Sequence, residues 1–301
     1  FSVCDRLQIM KKILVFPSGS EIGLEIYRSV EKSIHFEIIG ASSVEDHADY
    51  MYQNNIVGLP FIDNPNIIDS INKVVKHYSI DAIYPTMDRV ISVLSAARDQ
   101  LACSIIAPDD ETAQICFSKL KTHSTLMGLV NQPKLFQSLD DVKNYPVFLK
   151  PDSSYSAKGT CLVNDRKSAE AWMRQYPDCN IYEYLPGEEF TVDCFTKNNG
   201  DLLFVSGRKR SRINNGISVK SELASDYKKE IREIAEKINS AMRFRGAWFF
   251  QLKEDCNGSL SLMETACRIA GSSAICRMRG VNLPLMTLFD HFEYSVDVIN
   301  Q

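Results

Sequence analysis

Short apolar runs separated by amphipathic stretches of about ten residues constrain this chain most. Ile13-Leu14-Val15-Phe16, Phe36-Glu37-Ile38-Ile39, Ala82-Ile83-Tyr84 and Ser104-Ile105-Ile106-Ala107 are long enough for strands and too short for helices. Helical stretches over residues 21–31, 67–78 and 90–100 lie between them. Strands covered on both faces read as continuous apolar runs, and a crossover helix returns the chain in parallel register. Residues 10–110 are therefore predicted to form a Rossmann-like α/β domain. Met10-Lys11-Lys12 reads as a start leading straight into the first strand, so residues 1–9 are expected to lie outside the fold.

After Pro108 the rhythm changes. A helical piece over residues 109–129 leads into hairpin-like strands at 147–150 and 160–163, followed by a helix over 166–174. Strands are then expected at 180–184, 189–196, 202–207, 247–253 and 259–264, with one helix over 226–242. Tight turns at Asn198-Asn199-Gly200 and Asn257-Gly258 indicate antiparallel pairing. The fold class is thus α/β followed by α+β.

Bulk properties exclude several functions. With 34 basic and 38 acidic residues and no long run of one sign, the chain lacks the basic face of a nucleic-acid or membrane-surface binder. Its nine cysteines form no C-x-x-C pair, and its five histidines show no zinc-ligand spacing. The thiols read as reduced and mostly buried, and the expected compartment is the cytoplasm. The turn Gly19-Ser20-Glu21-Ile22-Gly23 invites a dinucleotide-binding reading. However, G-x-G-x-x-G is incomplete, and the second strand ends Ile39-Gly40-Ala41-Ser42 without an acid for the ribose. A tight strand-to-helix turn is the better explanation.

Chemistry-bearing residues concentrate in the second part. Ser118-Lys119-Leu120-Lys121 is followed by Pro146-Val147-Phe148-Leu149-Lys150-Pro151 and a small-residue loop from Asp152 to Gly159. Then come Tyr182-Glu183-Tyr184-Leu185-Pro186-Gly187-Glu188-Glu189, Phe250-Gln251 and Met263-Glu264-Thr265-Ala266-Cys267-Arg268. A lysine inside an apolar run, as Lys150 is, must meet an anion or reach for solvent. The loop is no Walker A motif, but its small residues let backbone N–H groups approach phosphate oxygens.

In order and spacing these segments resemble the ATP-grasp superfamily, most nearly a single ATP-grasp unit of the carbamoyl-phosphate synthase large subunit type. The resemblance runs from about Met10 to the end and includes Arg268-Ile269-Ala270-Gly271-Ser272-Ser273-Ala274. It implies a pre-ATP-grasp domain over 10–110 and an ATP-grasp domain over 111–301. The latter would divide into a small lid subdomain (111–182) and an antiparallel-sheet subdomain carrying the metal site (183–301).

The resemblance also implies roles. Lys119, Lys150, Ser156, Lys158 and Gly159 would hold phosphates. Glu183, Tyr184 and Leu185 would form the adenine hinge, and Glu189 would accept from the ribose. Gln251 and Glu264 would ligate Mg²⁺ (Mn²⁺ being an alternative), and Arg268 would steady the transferring phosphoryl group. Arg210, a further catalytic candidate, belongs to a basic run that would lie near the phosphates or the acyl intermediate, a solvated face being the alternative. Ala266 stands where the family places a metal-binding Asn, and Cys267 where it places a Pro. The implied activity is ATP-dependent joining of a small carboxylate to an amine through an acyl phosphate, carbamoyl-phosphate-synthase-like. The rival reading is an ATP-binding protein with a degenerate metal site. Arg277 and Arg279 are expected on the acceptor-substrate side, together with Pro85-Thr86-Met87-Asp88. No nucleic-acid or membrane partner is expected, and a homodimer stays open.

Overall fold

The computed structural model describes residues 10–153, 158–214 and 216–298. Its first sheet contains β1 (Lys11–Phe16), β2 (Phe36–Ala41), β3 (Asn55–Ile56), β4 (Ala82–Pro85) and β5 (Ser104–Ile105), all parallel, in the order β3-β2-β1-β4-β5. The crossovers carry α1 (Glu21–Val30), α2 (Ile67–Tyr78) and α3 (Asp88–Ala96). Ile13 and Val15 of β1 pack with Ile22 and Ile26 of α1, while Leu14 and Phe16 pack on the other face with Ile71 of α2 and Leu94 of α3. Both faces are covered, which is why β1 is apolar at consecutive positions. The turn into α1 is a cap: Ser20 Oγ accepts from the Gly23 N–H at 2.9 Å. A Cβ on Gly23 would meet the Ser18 carbonyl oxygen at 2.3 Å, so close packing of the turn demands glycine here.

The expected single helix over 109–129 is two: α4 (Asp110–Phe117) and α5 (Lys119–Thr125). Ser118 stands between them in extended conformation, its Oγ accepting from the Lys121 N–H at 3.1 Å, so it ends one helix and caps the next. Antiparallel strands β6 (Leu135–Phe136), β7 (Val147–Pro151), β8 (Cys161–Val163) and β9 (Cys179–Glu183) follow in the order β6-β9-β7-β8, with α6 (Arg166–Gln175) packed on one face.

The third sheet, also antiparallel, has the order β12-β11-β10-β13-β14, built from β10 (Glu189–Thr196), β11 (Leu202–Asn214), β12 (Ile217–Leu223), β13 (Gly246–Glu254) and β14 (Leu260–Ala266). Helix α7 (Lys228–Ala241) contributes Ile231, Ala235 and Ile238 to its core. β11 extends well past residue 207, through the basic run, and pairs with a strand that the sequence reading omits. Finally α8 (Ala274–Met278) and α9 (Leu283–His291) return the chain to the first sheet. Leu283 and Leu288 share a core with Ile13, Val15 and Phe36, and Ser104 Oγ lies 2.8 Å from His291 Nε2.

The period-two alternation of β11 sorts its basic residues. Arg208 is buried, with Nε 2.8 Å from Asp193 Oδ2 and Nη1 2.7 Å from Ser272 Oγ. Lys209, on the other face, pairs with Glu188. Removing one partner of a buried ion pair leaves an uncompensated charge, so Asp193→Ala is expected to lower the unfolding free energy by about 3–5 kcal/mol. Urea unfolding of the variant checks this, and a loss below about 1 kcal/mol would contradict it.

Candidate active site

The three sheets converge on one cleft of about 800 Å³. Its walls include Lys119 at the start of α5, Lys150 of β7, Glu183, Tyr184 and Leu185 at and beyond the end of β9, Glu189 of β10, Arg210 of β11, Gln251 of β13, and Glu264 and Arg268 at the end of β14 and beyond. Residues spread over 150 positions of sequence thus meet in one place. The parallel sheet contributes Ser20, Glu21, Thr86 and Asp88 from beyond the carboxyl ends of β1 and β4, the edge at which open α/β sheets present ligand sites.

The electrostatic centre is Glu264. Its Oε2 lies 3.2 Å from Lys150 Nζ, a contact that joins β14 to β7 across the cleft. Burial would raise its carboxyl pKa, but Lys150, Lys119 and Arg268 outweigh burial and hold it down to about 2. Burial lowers the Lys119 pKa, and the nearby Lys150 charge adds to it, bringing it to about 8 despite Glu264, Asp88 and Asp152. Lys119 Nζ donates to the Asp152 carbonyl oxygen at 3.0 Å. The Asp152 carboxylate accepts from Ser118 Oγ at 2.8 Å and from the Leu120 N–H at 2.8 Å, which ties the end of β7 to the start of α5.

Gln251 and Glu264 occupy paired positions of adjacent strands, so both side chains reach the same part of the cleft. Among the described residues no group of three or more His, Cys, Asp or Glu side chains could hold a metal ion. At this place one carboxylate and one neutral amide stand side by side.

Several residues stand differently from their expected roles. Arg268 is engaged by Asp88, with Nε–Oδ1 2.7 Å and Nη2–Oδ2 2.6 Å, while Nη1 donates to the Ile269 carbonyl at 3.1 Å. This fork-to-fork pair binds the parallel sheet to the end of β14. Arg210 pairs with Glu189 and with the Gly216 carbonyl oxygen, so the expected ribose acceptor is occupied by a cation, and Lys253 Nζ lies 4.0 Å away. The Glu183 side chain accepts from the Lys134 N–H at 3.1 Å. Leu185 is buried, and Tyr184 has Lys253 over its ring at 5.8 Å.

Lys158 and Gly159 do not line the cleft. Gly159 has φ +75°, a Cβ there would meet Pro151 at 2.8 Å, and its carbonyl accepts from Trp172 Nε1 at 3.1 Å, so it anchors the loop. Ser156 lies outside the described residues. Arg277 faces Glu25 of α1, with Nε 2.7 Å from Oε1, and neither it nor Arg279 reaches the cleft. Asp88 and Asp152 organise the cations, yet only their positions beside strand ends marked them in the sequence.

The chain is similar to proteins of the ATP-grasp superfamily. Residues 175–293 match the family described as "ATP-grasp in the biosynthetic pathway with Ter operon". The D-alanine–D-alanine ligase of Fusobacterium nucleatum is 26% identical over 155 residues, covering 48% of this chain and 51% of that ligase. The chain spans about half the length of the curated relatives it matches most strongly. In fold, it is similar to N5-carboxyaminoimidazole synthetase of Staphylococcus aureus complexed with ADP (TM-score 0.79, 18% identity, 96% of this chain and 79% of that one). It is also similar to the biotin carboxylase–β,γ-ATP complex of Campylobacter jejuni (TM-score 0.78, 18% identity, 97% and 73%).

The Lys119 environment has a measurable sign. Its folded pKa of about 8 lies below the ordinary lysine value, so between about pH 8 and pH 10.4 the unfolded chain holds more protons and stability rises with pH. Below about pH 8 the charged amine stays in the cleft at full cost. Lys119→Met is expected to raise the melting temperature at pH 7, with the gain shrinking toward pH 10. An equal gain at both pH values would contradict the assignment.

Proposed function

We propose that this protein is an ATP-dependent carboxylate–amine ligase that works through an acyl phosphate. The observation that carries this reading is the convergence of Lys119, Lys150, Gln251 and Glu264 with the hinge at Glu183 to Leu185 in one cleft. Lys119 and Lys150 repel one another, and a polyphosphate entering between them would relieve that repulsion and displace Lys150 from Glu264. The freed Glu264, with Gln251, would hold Mg²⁺. When bound, the cation would neutralise charge on the phosphate oxygens. The substrate carboxylate oxygen attacks the γ-phosphorus and ADP leaves. The amine nitrogen then attacks the acyl carbon, inorganic phosphate leaves, and the nitrogen sheds a proton.

The chain contributes position and charge: its lysines hold the phosphates, and Arg268, fixed by Asp88, supplies positive potential without moving. No side chain need form a covalent bond. The finer reading, chemistry like that of carbamoyl-phosphate synthase, rests on the segment from Arg268 to Ala274. Its match is a motif likeness only.

A second reading is ATP binding with little or no ligation. It is favoured by Ala266, which lacks the amide oxygen expected at that position, and by the Lys150 pairing that already satisfies Glu264.

Two variants separate the readings. Lys150→Ala is expected to abolish the thermal stabilisation that Mg-ATP gives the wild type, and unchanged stabilisation would overturn the phosphate role of Lys150. Glu264→Gln is expected to keep nucleotide binding but lose ADP release, assayed across a panel of amino acids and other small carboxylates. Nucleotide binding with no ADP release from the wild type on any carboxylate would favour the second reading. No stabilisation of the wild type by Mg-ATP would remove both.

A further inference from the structure

Resting on the ATP-binding reading, we infer that the cleft takes a single divalent cation with its nucleotide, the Arg268 guanidinium supplying the neighbouring positive charge. β13 and β14 pair Phe249 with Ala266 and Gln251 with Glu264. Side chains two apart on a strand share a face, so these pairs form successive rungs of the cleft floor. All four residues line the cleft. The Gln251–Glu264 rung offers one carboxylate and one amide, and Thr191, opposite Gln251 on β10, adds a hydroxyl. The next rung offers no side-chain oxygen: Phe249 and Ala266 are buried in an apolar cluster with Ala270. In the other direction β13 presents Lys253, a cation.

Spacing limits how many cations such a floor can hold. Rungs on one face of a strand lie about 6.5–7 Å apart, whereas two cations that share a phosphoryl group stand about 3.5–4 Å apart. A second cation would therefore lie midway to a neighbouring rung and need an oxygen from it. One neighbour supplies only carbon and the other an ammonium. Asp88, the carboxylate that reaches the end of β14, has both oxygens on Arg268, with Nε–Oδ1 2.7 Å and Nη2–Oδ2 2.6 Å. The same guanidinium stands over the Phe249 ring, 5.2 Å from its centre. A planar cation on an aromatic face needs no oxygen beneath it, so the apolar rung suits Arg268 and not a metal ion. There Arg268 repels a second metal ion and supplies the charge that one would bring. Because that charge is part of the chain, it is present at any cation concentration.

Mn²⁺ and the non-hydrolysable β,γ-imido analogue of ATP are the probes. Equilibrium dialysis of the full chain counts the Mn²⁺ retained per retained nucleotide, and electron paramagnetic resonance reads whether two Mn²⁺ are spin-coupled. The wild type is expected to retain about one Mn²⁺ per nucleotide, with an uncoupled spectrum. Ala266→Asp puts an oxygen on the apolar rung and is expected to raise the ratio toward about two, with a coupled spectrum. A ratio of about two or a coupled spectrum in the wild type would overturn the inference, as would nucleotide retained with no Mn²⁺. So would a folded Ala266→Asp variant whose ratio did not rise, because the apolar rung would then not be what limits the count. The wild-type count decides the matter even where that variant does not fold. If the wild type retained no nucleotide, the ATP reading would fail; if it retained nucleotide with a coupled pair of Mn²⁺, only the present inference would fail.

Discussion

The cleft depends on a carboxylate placed among cations. Lys119, Lys150 and Arg268 come from α5, β7 and the end of β14, and together they would repel each other if nothing negative stood among them. Glu264 is that negative charge, 3.2 Å from Lys150 and held ionised by all three neighbours. Asp88 and Asp152 complete the balance, one by gripping Arg268 and the other by orienting Lys119. The result is a charge-balanced pocket in which each of these cations has a carboxylate or carbonyl partner.

Much of the fold was legible because burial on two faces leaves a simple trace. β1 and β4 are apolar at consecutive positions, and their flanking helices show one apolar stripe each. β11 was legible only in its first half. From Arg208 onward it carries cations at 208, 209, 210 and 212, and the pattern that marks a strand by hydrophobicity is absent although the backbone ladder continues to Asn214. The paired strand β12 is polar for the same reason. Ser118 divides the helix after Pro108 by a cap hydrogen bond, a local event that a window of average helix preference smooths over.

The candidate site was legible in its membership more than in its pairings. Lys119, Lys150, Gln251 and Glu264 could be placed in one pocket from ordered motifs. That Arg268 would be held by Asp88, 180 positions away, or Arg277 by Glu25, 252 positions away, leaves no mark in local sequence. Charged residues near a strand end look alike whether they face a ligand or another side chain. Only the three-dimensional neighbourhood distinguishes them, and here it shows Arg268 paired with Asp88.

The return of α9 to the parallel sheet has a consequence for how the chain is made. β1 lies near the start of the described residues, while Leu283 and Leu288, which cover one of its faces, come some 270 positions later. During synthesis the first sheet therefore exists with Ile13, Val15 and Phe36 lacking their final cover until α9 has been made. The early part of the chain cannot settle as a finished unit and move on, as sequential domains commonly do. Helix α9 is thus the closing piece of the core that β1 opens, and that layer is complete only once Leu288 has been made.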